Sequence, residues 1–158
     1  MRFIDAHIHL SDPDYSEKID QIVDDARRSN VVSLVSNSMN YETSLLSLQL
    51  ANQHKGLVYA ALGIHPWNAP KLAQDEVKKT LDLIFQNAKN REKTIAIGEI
   101  GLDPQYAKGK QKRELQAKVF HEMLQAAEKL SLPIIVHSRW TVPKIMEILT
   151  SYNLTAVL

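Results

Sequence analysis

Six short β-prone runs alternate with five amphipathic stretches along the 158 residues, and this alternation restricts the fold more than any other feature of the sequence. Strand signals lie at 3–10, 31–36, 57–64, 94–100, 132–137 and 155–158. A first helix is expected from about residue 17, and others over 42–54, 74–88, 112–130 and 142–152. Ser16 is the natural cap of the first helix, whose apolar stripe is Ile19, Ile22, Val23 and Ala26. The second helix carries Leu45, Leu46, Leu48 and Leu50. Strand–helix alternation means parallel strands joined by right-handed crossovers. Runs apolar on both faces, such as 57–64, fit a sheet covered by helices. Two architectures qualify: an open doubly wound α/β sheet, or part of an eight-stranded (β/α) barrel. No linker, repeat or low-complexity tract divides the chain, so residues 1–158 read as one domain.

Composition narrows the chemistry by exclusion. A net charge of +1 points to no partner through bulk electrostatics. Without cysteine there are no disulfides and no thiolate ligands. No apolar run approaches the ~18 residues of a membrane span. Asp5 and His7 also interrupt the N-terminus before a signal-peptide core could form. The expected location is the cytoplasm, with no membrane partner.

The polar residues gather at strand ends. In Phe3-Ile4-Asp5-Ala6-His7-Ile8-His9-Leu10, Asp5, His7 and His9 alternate with Ile4, Ala6 and Ile8. A period of two puts the histidines on one strand face and the apolar set on the other, where helices should cover it. The third strand runs into Gly63-Ile64-His65-Pro66-Trp67. The fourth runs into Gly98-Glu99-Ile100-Gly101-Leu102-Asp103, and the fifth into His137-Ser138-Arg139. In a parallel sheet these carboxyl ends share one side, where active sites are built. Imidazole and carboxylate together suit zinc, manganese and similar divalent ions. Glu99 is the acid placed to bridge two ions, one on His7 and His9 and the other on His137. Two ions about 3.5–4 Å apart can activate one water and stabilise both the attacking and leaving oxygens. That suits phosphoester hydrolysis, and some ester or amide hydrolysis. His65 is a candidate contact to a substrate oxygen, and Arg139 a candidate bidentate grip on phosphate. Asp5, one pleat below His7, is a candidate to orient its ring.

The segments 3–10, 63–67, 97–103 and 132–139 closely resemble the TatD-like metal-dependent hydrolases of the amidohydrolase superfamily. Their order and spacing match that family through the end of the chain. The resemblance implies a (β/α)8 TIM barrel, here incomplete at about six strands and five helices, with two divalent ions (Zn, Mn, Mg or similar) and deoxyribonuclease activity. It carries over His7 and His9 to one ion, Glu99 to the bridge and His137 to the second ion. Asp103 falls at a position near substrate. The catalytic set is then Glu99, His65 and Arg139, with His65, Asp103 and Arg139 binding DNA. Two further family ligands, a His after the sixth strand and an Asp after the eighth, have no counterpart here. The domain is therefore expected to be truncated after the sixth strand, with a second chain or copy covering the seam. Two alternatives stand beside the nuclease: a metal-dependent deacylase or small-molecule hydrolase, and a non-catalytic remnant that needs a partner chain. Lys108, Lys110, Lys112 and Arg113 are a solvated helix start or a track for a nucleic-acid backbone. Trp67 and Trp140 are expected to pack, and Asn37 and Asn40 have no assigned role.

Overall fold

The computed structural model describes residues 1–157; Leu158, expected in the sixth strand, lies outside the described residues. The chain runs β1 (Phe3–Ile8), α1 (Ile19–Arg28), β2 (Val31–Asn37), α2 (Tyr41–Gln53), β3 (Val58–Leu62), α3 (Gln74–Asn87), β4 (Thr94–Leu102), α4 (Lys110–Leu130), β5 (Ile134–Ser138), α5 (Val142–Leu149) and β6 (Ala156–Val157). All six strands are parallel, and their order in the sheet is their order in the sequence. A doubly wound sheet reverses strand order at a switch point. Winding in one direction is the arrangement of a barrel wall, so the second of the two architectures is the one adopted. Among the described residues no helix is long and apolar enough to cross a membrane.

The main core lies between sheet and helices, where Leu62, Ile97, Ile134 and Val136 meet Val119, Phe120, Met123 and Leu124. A smaller cluster of Val35, Ala61, Ala96 and Ile135 forms separately. Four expectations need correction. Ile4 and Ala6 are exposed, Ile4 at 67%, because α1 packs on β2 and leaves β1 at the sheet edge. Ser16 does not cap α1; its hydroxyl donates to the Pro13 carbonyl at 2.8 Å, closing a 3-10 turn over Pro13–Tyr15. Helix α2 turns Leu45 and Leu46 outward and buries Thr43, Ser44 and Ser47. Hydroxyl pairing sets that face: Ser47 Oγ meets Ser36 Oγ at 2.9 Å and donates to Ser11 Oγ at 3.1 Å. Trp140, expected to pack, is 81% exposed. Its φ of 55° turns the chain sharply just after β5 and just before α5.

Two glycines of β4 lie close against β5, Gly98 beside Ile135 and Gly101 beside His137. Gly101 pairs with His137 in the ladder at φ 151°, and a Cβ there would lie 2.0 Å from the His137 carbonyl oxygen. Gly56 also has positive φ, 80°, but nothing lies within 4 Å of its virtual Cβ. Gly101→Ala should therefore cost about 3 kcal/mol of unfolding free energy or more. Gly56→Ala should cost only about 1 kcal/mol. Urea unfolding of the two variants checks the ranking, and equal costs would contradict it.

Candidate metal centre

Four imidazoles from three strand ends surround one carboxylate. Glu99 is 3% exposed. Its Oε2 lies 2.8 Å from His7 Nε2, 3.1 Å from His9 Nε2 and 3.5 Å from His65 Nε2. Its Oε1 lies 3.1 Å from His137 Nδ1. The expected convergence of these strand ends is therefore present in the structure.

Main-chain carbonyls just after β2 hold the neighbouring strands in place. The Glu99 N–H donates to the Ser38 carbonyl at 3.1 Å, and the His65 N–H to the Met39 carbonyl at 3.0 Å. Ser38 Oγ accepts the Gly63 N–H at 2.8 Å and a proton from Ser44 Oγ at 2.8 Å, tying α2 to the same point. Asn37, unassigned from sequence, positions His9: the His9 Nδ1–H donates to the Asn37 carbonyl at 2.9 Å. The Asn37 side-chain amide donates to Val35 and Ala6 carbonyls at 2.9 and 3.3 Å, lacing β1 to β2. No side-chain pattern could have shown this, since Asn37 acts on His9 through its backbone. Asp5 does not orient the His7 ring; its Oδ1 accepts the His7 backbone N–H at 3.0 Å.

A cleft of about 560 Å³ opens onto this cluster, lined by His7, His9, His65, Glu99, His137 and Trp67. Asp12, Asp14, Tyr15, Lys18 and Met39 complete its wall. None of these five was picked out in the sequence, although the loop of the first four leaves β1 on the histidine side. Asp103 and Arg139 do not line the cleft. Asp103 is wholly buried, and its Oδ2 lies 3.0 Å from His137 Nε2 and 3.5 Å from Arg139 Nε. Arg139 also donates to Gln105 Oε1. The expected substrate contact of Asp103 is thus replaced by contacts behind His137, and in this arrangement Arg139 is engaged with Asp103 and Gln105. Lys108, Lys110, Lys112 and Arg113 are exposed at the start of α4 and are not part of the cleft.

The donor set suits a divalent ion. When His9 is neutral its Nδ1–H is used on Asn37 and its Nε2 turns a lone pair toward Glu99 Oε2, so two acceptors face each other at 3.1 Å. A cation between them removes that repulsion. The ligand atoms of His7, His9 and Glu99 lie within 4.8 Å of one another, as do those of His65, Glu99 and His137. Tetrahedral bonds of about 2.1 Å separate ligand atoms by roughly 3.4 Å, a spacing compatible with both groups. Nitrogen and carboxylate donors fit first-row divalent ions.

The same crowding governs protonation. The hydrogen bond to Glu99 raises the His9 pKa despite burial. Burial opposes charge on His137, but its hydrogen bonds to Glu99 and Asp103 prevail and raise its pKa. Burial lowers that of His65. Burial also works against the Glu99 charge, yet hydrogen bonds from His137, His65 and His9 hold its carboxyl well below the usual range. In the metal-free protein His9 and His137 thus keep protons above pH 6.5 that the unfolded chain has lost. Their contribution to stability is complete below pH 6.5 and is lost as pH rises through their folded-state values. The opposite effect of His65 falls below pH 6.5 and leaves that window clear. Melting temperatures in chelator should therefore decline above pH 6.5, and zinc uptake should release protons and tighten over the same range. Melts and calorimetry in buffers of different ionisation enthalpy test this; flat profiles would contradict it.

The sequence matches the family described as TatD related DNase over residues 4–157. It is 36% identical to the human protein named deoxyribonuclease TATDN3 over 143 residues, covering 86% of this chain and 52% of that protein. It is 29% identical to the 3'-5' ssDNA/RNA exonuclease TatD of Erwinia tasmaniensis, covering 85% of this chain and 49% of that one. The crystal structure of YJJV, a TatD homolog from Escherichia coli K12, superposes with a TM-score of 0.80 at 32% identity, covering 95% of this chain and 56% of that one. The chain spans about half the length of the curated relatives it matches. With the family's description covering it almost from end to end, the chain belongs to the TatD related DNase family.

Proposed function

We propose that this cleft belongs to a metal-dependent hydrolase that cuts phosphodiester bonds of DNA with two divalent ions. The observation that carries the reading is the division of Glu99: Oε2 faces His7 and His9, while Oε1 faces His137. One carboxylate with ligands on both oxygens is the arrangement that bridges two ions. Bound there, the ions would lower the pKa of a water and offset charge building on the phosphate oxygens. His7 and His9 would hold one ion and His137 the other. His65, 3.5 Å from Glu99 Oε2 and lining the cleft, would contact a phosphate oxygen. The names of the human and Erwinia relatives support DNA, or single-stranded nucleic acid, as the substrate.

Fluorescent single- and double-stranded oligonucleotides, assayed beside acyl esters with added Mg, Mn or Zn, test the proposal. Oligonucleotide cleavage should stop in chelator. It should fall about a thousandfold or more in Glu99→Gln, because metal chemistry supplies several kcal/mol of the rate. Metal-dependent cleavage of the esters alone would transfer the reading to a deacylase.

A further inference from the structure

Trp67 donates two N–H groups, and each fixes the protonation of a different histidine. Its backbone N–H donates to His65 Nδ1 at 3.1 Å. That nitrogen is therefore an acceptor, and neutral His65 carries its proton on Nε2. The indole Nε1–H donates to Asp103 Oδ2 at 3.1 Å. The same carboxylate oxygen lies 3.0 Å from His137 Nε2. Nδ1 of the same ring lies 3.1 Å from Glu99 Oε1, so the protonated ring donates to both carboxylates; when His137 is neutral, buried Asp103 can hold its proton on Nε2 and leave Nδ1 bare. The two rings meet at 3.3 Å, His65 Nε2 against His137 Nδ1, a donor against an acceptor. His65 and His137 look equivalent in their grouping with Glu99, but they present opposite functions to it.

The pair is rigidly held. Asp103 has no exposed surface, and its Oδ1 accepts the Gln105 N–H at 3.0 Å. Gln116, buried on α4, takes the Asp103 N–H at 2.9 Å and donates to the carbonyls of Asp103 and Pro66 at 3.1 and 2.8 Å. One side chain thus fixes both the loop that carries Asp103 and the loop that carries Trp67. Tyr106 stacks on the indole, with ring centres 4.8 Å apart.

We propose that Trp67 and Asp103 are a positioning pair that makes His137 a metal ligand through Nδ1 and keeps His65 a hydrogen-bond donor into the cleft rather than a ligand. The proposal rests on the reading of the cluster as a divalent-ion site, and it separates what distance alone would merge. A ligand needs a free lone pair, and of the two histidines only His137 turns one toward Glu99. His65 Nε2–H is suited instead to a phosphate oxygen or to the attacking water.

Cobalt(II) titration of the whole chain, followed by its visible absorption, supplies a probe independent of turnover. Asp103→Asn should weaken one cobalt site about 10- to 100-fold and shift its spectrum. Trp67→Phe, which removes only the indole N–H, should act in the same direction by a smaller factor. His65→Gln should leave cobalt affinity within about twofold and weaken binding of inorganic phosphate to the loaded protein. Nitrogen-15 NMR of the wild type at a pH where the imidazoles are neutral should show both His65 and His137 protonated on Nε2. Unchanged cobalt binding in Asp103→Asn would overturn the positioning role, as would a tenfold loss in His65→Gln. If the wild type took up no cobalt, the divalent-ion reading would fail by itself. The tautomers would still decide the pair: the Nε2–H share of neutral His137 should fall in Asp103→Leu, whose side chain accepts nothing, and an unchanged share would overturn the proposal.

Discussion

The repulsion between acceptors around Glu99 is the constraint on which the rest of the structure depends. Of the four imidazole nitrogens within 3.5 Å of the buried carboxylate, those of His9 and His137 have no proton to offer it when the rings are neutral and their protons lie on Asn37 and Asp103, and neutral hydrogen bonding cannot satisfy them. Positive charge must enter, as protons or as a metal. Three of the four imidazoles are held against this tendency by a partner outside the cluster: His9 by the Asn37 carbonyl, His137 by Asp103, His65 by the Trp67 amide. The scaffold supplies the preorganisation, and the cluster retains the unsatisfied electrostatics that a cation would resolve.

That scaffold is mostly main chain. The carbonyls of Ser38 and Met39 receive amides from β4 and from the end of β3, so three consecutive strand ends are locked before any side chain is considered. Helix α2 contributes through hydroxyls, not apolar bulk, which is why Ser44 and Ser47 are buried while Leu45 and Leu46 face outward. A parallel sheet delivers its carboxyl ends to one side, and these short bonds set their relative heights.

The histidines and Glu99 could be read from the sequence because each ends a strand and strands announce themselves by apolar runs. The order of the strands followed from their alternation with helices. Alternation alone left barrel wall and doubly wound sheet open; the resemblance of the strand-end segments implied the barrel, and the strand order bears it out. What stayed hidden acts through backbone atoms or at long range: the Asn37 carbonyl, the Trp67 amide, and Gln116 reaching from α4 to Pro66. Counting leucines misjudged α2, because a pattern of hydrophobicity does not register paired hydroxyls. Trp140 defeated the same logic, since a residue type that is usually buried sits exposed on a sharp turn at the end of β5.

The close approach at Gly101 also anchors the two strands that carry Glu99 and His137. That residue pairs with His137 and faces its carbonyl with no room for a Cβ, so any larger residue would push β4 and β5 apart. The two backbones keep one spacing beneath the cluster, and the distance between carboxylate and imidazole is adjusted by their rotamers alone.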